Sequence, residues 1–553
     1  MNQAEASESS SEPVENEIEL VNLKNEDQQL NQLLIINTIY YIVVFVLIGL
    51  PIWIFTTSTY RASLPFDSID QLAKSLNRIE YKINIEIINF NDELTADILN
   101  KAISDLNIRL DKDGKNGIEL QFEIKNRVAT GEEKKLALTH KIELLDQVVC
   151  SDGLNKLHMI ILDDDSAKKI VSEDQYLFLN CLYLNKNLAK DTERLSKIVL
   201  GEFLHIEKIN EEYRLKMDVE RRLPSKKDIR VVNFDNEYEV TFSWLNERPE
   251  VYSKWNVDEC VEKYFSKISD KLSDFIKISI KAQTLLYSDF GSYTLSYSKL
   301  ENESFYYLRQ SDLSIMTNFI ESRLGAKISD SSALEFVTYL PNKEPLYIAK
   351  NLQNVKDSRS VSFMVPRWGG IYVYNPKDEN QSDDLIRVEK AMKTFLTQFI
   401  NLIGIDLHKS SKVVPRSGIY SSEIFGYLLT KTLENQLNSI NTLNSLSLLL
   451  TRIKSMVIED DIAEQIKTSV ESIEQSLSLA KDGKIKEAFF KSKIGFLSSE
   501  KAFFDKSLLE KLYFPEDQRF AIYIPLFIPV GIPLLLSMKS VIGWYKKQKI
   551  KTD

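Results

Sequence analysis

"YEVTFSWLNE", Tyr238 to Glu247, is a short run rich in aromatic and β-branched residues and bounded by polar segments. It reads as a strand. The stretch before it, "AKDTERLSKIVLGEFLHIEKI" (Ala189–Ile209), reads as a helix, and the chain from Val257 to about Ile280 also follows a helical pattern. The same alternation runs outward in both directions. "DSIDQLAKSLNRI" (Asp67–Ile79) predicts a helix with Asp67 as its N-cap. "YKINIEIINF" (Tyr81–Phe90) predicts a strand, "DELTADILNKAISDL" (Asp92–Leu106) a helix, and "GIELQFEIKN" (Gly117–Asn126) another strand. "KLHMIILDDD" (Lys156–Asp165) reads as a buried strand ending in acids, and "YLFLNCLYLN" (Tyr176–Asn185) as a strand. "EFVTYLPNKEPLYIAK" (Glu335–Lys350) predicts two strands about a Pro-Asn turn, and "SVSFMVPRWGGIYVYN" (Ser360–Asn375) a strand, a Gly-Gly break and a strand. Strands interleaved with helices indicate an α/β or α+β domain with a mixed sheet flanked by helices, placed at residues 56–415.

After Pro415 the character changes. No proline occurs from Arg416 to Phe514, and Leu428, Leu429, Leu433, Leu437, Ile440 and Leu443 recur at helical spacing. Residues 416–519 therefore read as two or three long packed helices, with turns at "IEDD" near Ile458 and "KDGK" near Gly483.

Two segments depart from the pattern of a water-soluble globule. "LLIINTIYYIVVFVLIGLPIWIF" (Leu33–Phe55) has no charge over 23 residues, enough for a membrane-spanning helix. It is too long for a cleaved signal peptide, and the arm before it, residues 1–32, is acidic. Near the other end, Phe520–Met538 is uncharged over 19 residues, about 28 Å of helix. The second span is placed at 520–543, with Trp544 and Tyr545 at the interface and a basic tail at 544–553. Lys546, Lys547, Lys549 and Lys551 predict a cytosolic C-terminus, and two spans then put the N-terminus in the cytosol as well. Residues 56–519 fall on the luminal side, where Asn302-Glu-Ser and Asn380-Gln-Ser are glycosylation sequons. Pro525, Pro529 and Pro533 recur every four residues and line one helix face. Each removes a backbone donor, so a packed neighbouring helix is one way to relieve the freed carbonyls.

A formal net charge of −10 argues against nucleic acid as a partner. Glycine, 17 of 553 residues, is too sparse to favour a Gly-rich phosphate cradle. The three cysteines, Cys150, Cys181 and Cys260, form no CxxC pair, and an odd number leaves a free thiol or an intermolecular bridge. Cys150 lies between His140 and His158, which raises a Cys-His nucleophile, although closeness in sequence carries no spatial information. Asp163, Asp164 and Asp165 end an apolar strand as carboxylates do in metal-dependent glycosyltransferases; three acids closing a strand are more often a solvated turn. No other motif calls for a metal or a cofactor, and no catalytic constellation stands out.

Four stretches carry a resemblance. "TTSTYRASLPFDSI" (Thr56–Ile69) follows the first span; "FMVPRWGGIYVYN" (Phe363–Asn375) contains Pro366, Trp368, Gly369 and Gly370; "FLTQFINLIGI" (Phe395–Ile405) follows it; "SEKAFFDKSLLEKLYFPEDQRFAIYIPLFIPVGIPLL" (Ser499–Leu535) leads into the second span. Together they resemble the PIG-S family, a subunit of the glycosylphosphatidylinositol (GPI) transamidase, in its fungal type. The resemblance implies an endoplasmic-reticulum membrane protein with a large luminal loop. It implies a complex that removes a C-terminal hydrophobic signal from a precursor protein and joins the new carboxyl end to the GPI ethanolamine. A cysteine-protease-like subunit would carry the chemistry. This chain would scaffold it, or handle precursor or GPI, beside other membrane subunits and membrane lipid. Trp368, Gly369 and Gly370 would be architectural.

Overall fold

The structure is a computed structural model that describes residues 29–30, 32–49, 51–52, 55, 60–89, 117–138, 154–161, 204–206, 231–232, 234–288, 295–300, 303–324, 331–349, 359–376, 385–406, 421–453, 458–506 and 516–552, with single positions between them. The chain divides into two compact units. One comprises Phe66–Asn444 and Lys467–Glu500; the other comprises Met1–Pro65, Ser445–Ile466 and Lys501–Asp553.

The larger unit is a mixed α/β assembly. A three-stranded parallel sheet has the order β2-β1-β3, with β1 at Ile79–Asn89, β2 at Ile118–Val128 and β3 at Lys156–Ile161. Alternation places Tyr81, Ile83 and Ile85 on one buried face of β1. A five-stranded sheet has the order β12-β13-β9-β4-β6. Its strands are β4 (Glu237–Asn246), β6 (Lys277–Leu286), β9 (Ser332–Leu340), β12 (Ser362–Val365) and β13 (Gly369–Val373). All neighbours are parallel except the β12–β13 hairpin. β4 and β9 are buried along almost their whole length, as parallel strands covered on both faces are. A smaller sheet has the order β11-β10-β8-β7, formed by β7 (Ser296–Leu300), β8 (Glu303–Arg309), β10 (Leu346–Ala349) and β11 (Arg359–Ser360), and the short β5 (Lys254–Trp255) pairs in parallel with β14 (Leu385–Ile386).

Helices fill the gaps. The helix α2 (Phe66–Ser75) follows Pro65 and carries Asp67 in its first turn, so Asp67 is not the residue before the helix that was expected to cap it. Gly131–Leu138 is α3. The helix α4 begins at Val257–Cys260, passes a π-type turn at Val261–Phe265 and ends with Ser266–Leu272. The chain then returns to strand β6: the expected helix up to Ile280 is wrong over its last four residues, Lys277–Ile280. Ile278 and Ile280 alternate with Lys277, Ser279 and Lys281, a period of two that a helical reading absorbs. Leu313–Leu324 is α5 and Glu389–Ile403 is α6. The core lies between the five-stranded sheet and α4 and α6, where Phe242 meets Phe265 at 5.1 Å between ring centroids and Phe336 meets Phe395 at 5.3 Å. Burying a phenylalanine side chain of this kind stabilises by about 2 kcal/mol.

Among the described residues, the predicted helical segment contains α7 (Ser421–Arg452), α8 (Asp460–Lys481) and α9 (Ile485–Phe503). Within the larger unit they brace the three-stranded sheet and the turn before β6. Tyr81 donates to Gln436, Asn84 donates to the Gly483 carbonyl, and Lys493 donates to the Phe275 carbonyl. Gln436 also donates to Ser476, whose hydroxyl donates to the Ala488 carbonyl. These buried polar groups are satisfied in pairs across the helices, which fixes their register.

In the smaller unit, Tyr60 to Ala62 pair with Ile458. Ala62 N donates to the Ile458 carbonyl and Ile458 N to the Tyr60 carbonyl, both at 3.1 Å. Arg61 donates to the Leu450 carbonyl at 2.7 Å. The apolar helix α1, Gln32–Gly49, has a mean hydropathy of 2.1 and no buried residue, and it is long and apolar enough to cross a membrane. The last helix, α10 (Glu516–Thr552), continues through Pro525, Pro529 and Pro533, all three exposed. Its Gly531–Gly543 part is apolar over a shorter length.

Candidate functional site

The Pro-Arg-Trp-Gly-Gly stretch links β12 to β13. Pro366 fixes one backbone dihedral, Arg367 sits at φ 60°, and Trp368 N donates to the Val365 carbonyl at 3.2 Å. This is the pattern of a turn with proline at its second position and a left-handed third residue. Pro366 and Arg367 are exposed, whereas Trp368 packs against a core that includes Leu245, Val337, Tyr339, Ile371 and Val373. The glycines were expected to break the strand; instead both lie within β13. Gly369 has φ +152°, and a Cβ there would stand 1.8 Å from the carbonyl oxygen of Glu335 on β9. At Gly370 a Cβ would stand 1.8 Å from Oε1 of Gln398 on α6. The first glycine lets β13 approach its neighbouring strand, where Glu335 N donates to the Trp368 carbonyl at 2.9 Å. The second lets helix α6 lie close on the sheet. The arrangement builds a core and offers no reactive group.

A polar cluster sits on the three-stranded sheet. His158, fully buried on β3, lies opposite Glu86 on β1, with Nδ1 3.1 Å from Oε2 of Glu86. Arg127 on β2 makes a two-pronged pair with Glu133, at 2.7 and 2.9 Å, and reaches Glu86 at 3.3 Å. Thr130 N donates to Glu133 and Glu133 N donates to the Thr130 hydroxyl, a reciprocal cap at the start of α3. Burial holds His158 below its ordinary value, with Glu86 opposing that shift. Arg127 holds Glu133 below the usual carboxylate range. The cluster ties β1, β2, β3 and α3 together, and among the described residues no thiol or hydroxyl is placed beside His158 to act as a nucleophile. Cys260 is free and buried, and burial pushes its thiol up to about 11, the opposite of an activated thiolate.

More than nine-tenths of the chain aligns with named relatives. The family described as "Phosphatidylinositol-glycan biosynthesis class S protein" matches residues 40–548. The chain belongs to the PIG-S family. A rat protein named "GPI-anchor transamidase component PIGS" is 30% identical over 564 aligned residues, covering 93% of this chain and 96% of the relative. The fission-yeast "GPI transamidase component PIG-S homolog" is 22% identical over 92% of this chain and 84% of its own length. The budding-yeast "GPI transamidase component GPI17" is 21% identical over 93% and 92%.

Within this PIG-S chain, Pro366, Trp368, Gly369 and Gly370 are brought together as one turn and strand start. Cys260 and His158 lie on separate elements, α4 and β3. Asp163, Asp164, Asp165, Cys150, Cys181, His140, Asn302 and Asn380 lie outside the described residues, as do the expected helix at Asp92–Leu106 and strand at Tyr176–Asn185. Sequence reading missed the Arg127–Glu133–Glu86 network. Its one local signal was Thr130 followed three residues later by Glu133, a capping box. The pairing with β1 and β3 is set by strand order and leaves no local mark.

Proposed function

We propose that this PIG-S chain is a non-catalytic component of a GPI transamidase, anchored in the endoplasmic-reticulum membrane. The observation that carries this reading is kinship over more than nine-tenths of its length with proteins named as components of that enzyme. The glycines of the Trp-Gly-Gly stretch, spent on packing, agree with a scaffold. The relatives lend no support to a metal-dependent glycosyltransferase.

In the finer reading the chain crosses the membrane twice, at 33–55 and at 520–543. The acidic arm 1–32 and the basic tail 544–553 face the cytosol. The α/β domain 56–415 and the helical segment 416–519 lie in the lumen. The exposed, uncharged and largely apolar helix α1 supports the first span, and the lysine-rich tail supports the orientation of the second. The chain would hold the cysteine-protease-like subunit and the membrane subunits together, in contact with lipid and within reach of precursor or GPI. Pro525, Pro529 and Pro533 would form a face for a neighbouring helix. Endoglycosidase should shift the mobility of the protein, and the shift should vanish in the Asn302→Gln/Asn380→Gln double variant. Protease cutting of the 56–519 loop in sealed microsomes contradicts the topology.

A further inference from the structure

The three long helices after Pro415 share one bundle end. Asn435 on α7 donates to Ser492 on α9 at 3.4 Å, and Thr442 donates to Glu500 at 3.1 Å, so these two helices run in parallel. Ser476 donates to the Ala488 carbonyl and Ser469 to the Gly495 carbonyl, so α8 runs in the opposite direction beside α9. The last turns of α7 and α9 and the first turn of α8 therefore lie at the same end. The smaller unit contains that end together with both apolar segments: it is made of Met1–Pro65, Ser445–Ile466 and Lys501–Asp553.

The junction with the first apolar segment is short and well held. Phe55 is still helical, and Tyr60 follows five residues later, at most about 18 Å along the chain. Tyr60 donates to Asp460, in the first turn of α8, at 2.7 Å. Arg61 donates to the Leu450 carbonyl in the last turn of α7, and the backbone of Tyr60 and Ala62 pairs with Ile458 between the two helices. The turn from α7 to α8 is thereby fixed within reach of the end of the apolar segment. Beyond α9, Leu508 is buried, twelve residues before Phe520 opens the second apolar stretch. At this end Tyr60 is 59% exposed, Leu448 53% and Phe504 59%. A single exposed apolar residue is ordinary. These three lie in the part of the fold that the chain ties to a helix of membrane-spanning length.

We propose that this end of the bundle is a membrane-seating surface, with Tyr60, Leu448 and Phe504 in the headgroup layer of the luminal leaflet. The inference rests on the reading of Leu33–Phe55 as a span that delivers residues 56–519 to the lumen. A tyrosine ring with its hydroxyl satisfied at one edge suits that layer, where apolar and wet surroundings meet. Charges of both signs stand at the same end, Arg452, Lys501 and Lys506 against Glu459, Asp461 and Asp505. The mixture suits a zwitterionic lipid surface and gives no net attraction to an anionic one. The hydrogen bonds of Tyr60 and Arg61 make the joint stiff, so the bundle end stays against the bilayer.

The test places the full chain in nanodiscs of phosphatidylcholine and phosphatidylethanolamine, with a fluorescent amino acid at one exposed position at a time. The positions are Leu448 and Phe504, Val46 within α1, and Asp482, which follows the far end of the 22-residue helix α8, about 33 Å of helix away from Asp460. Lipids brominated high in their acyl chains should quench Val46, Leu448 and Phe504 about twofold or more and leave Asp482 unchanged. Quenching at Val46 without quenching at Leu448 and Phe504 keeps the span and overturns the seating surface. Equal quenching at Asp482 and Phe504 also overturns it. Absence of quenching at Val46 shows that the span reading itself has failed, and the proposal falls with it. In the assembled complex a photo-crosslinker at Phe504 should join lipid. Crosslinking chiefly to another subunit or to a second copy of this chain overturns the proposal.

Discussion

Gly369 and Gly370 are adjacent, yet they are confined by different obstacles. The obstacle at Gly369 is a backbone carbonyl on β9, and its φ of +152° is one that side chains rarely adopt. The obstacle at Gly370 is the end of the Gln398 side chain. Gly369→Ala should therefore destabilise by about 3 kcal/mol or more, with no single compensating change. Gly370→Ala should be costly alone and substantially rescued by Gln398→Ala, which removes the colliding amide. Thermal unfolding of the four variants checks this, and equal rescue at both glycines would refute the distinction. The sequence announced that two glycines mattered here. It did not tell which partner each one met, because Glu335 and Gln398 lie far away in the chain.

His158 gives the residue scale its pH dependence. Its folded-state pKa is depressed by burial, so its stabilising contribution is complete above the ordinary value of about 6.5. As pH falls below that value the unfolded chain takes up a proton that the folded chain resists, and stability is lost. Glu133, depressed by Arg127, acts with the same sign at lower pH, below the usual carboxylate range. Melting temperature should fall between pH 7.5 and pH 5.5, and His158→Gln should flatten that fall. An unchanged slope in the variant would remove His158 from the account.

At the scale of elements, periodicity was informative wherever one pattern stood alone. The long helices after Pro415 appear where leucine and isoleucine spacing placed them, with turns near Ile458 and Gly483. Strand β4 was readable from its own aromatic and β-branched run. Reading failed at Lys277–Ile280 because a strand follows a helix directly, with no glycine or proline between Leu272 and Lys277. The helix α10 poses a separate question about its prolines. Replacing Phe520–Met538 with a Leu/Ala helix keeps the hydrophobic length and restores the backbone donors. If the proline face fits a neighbour, recovery of partner subunits should drop while membrane insertion stays intact. Undiminished recovery would mean that the prolines only bend an anchor.

For the molecule as a whole, the α/β class was legible from the order of strand and helix patterns, and the family from a few stretches near the ends and around Trp368. Sheet order was not legible. Strands far apart in the chain, such as β4 and β9, are neighbours, and nothing local to either records the other. The same holds for the hydrogen bonds of β1 to α7 and to the turn between α8 and α9. The central claim is that this chain is a structural component of a GPI transamidase. Affinity purification of the full chain in mild detergent, with mass identification of what accompanies it, tests that claim most directly. The account predicts the cysteine-protease-like subunit and the membrane subunits in near-equal amounts with this chain. Recovery of this chain alone, or with none of those subunits, would contradict it.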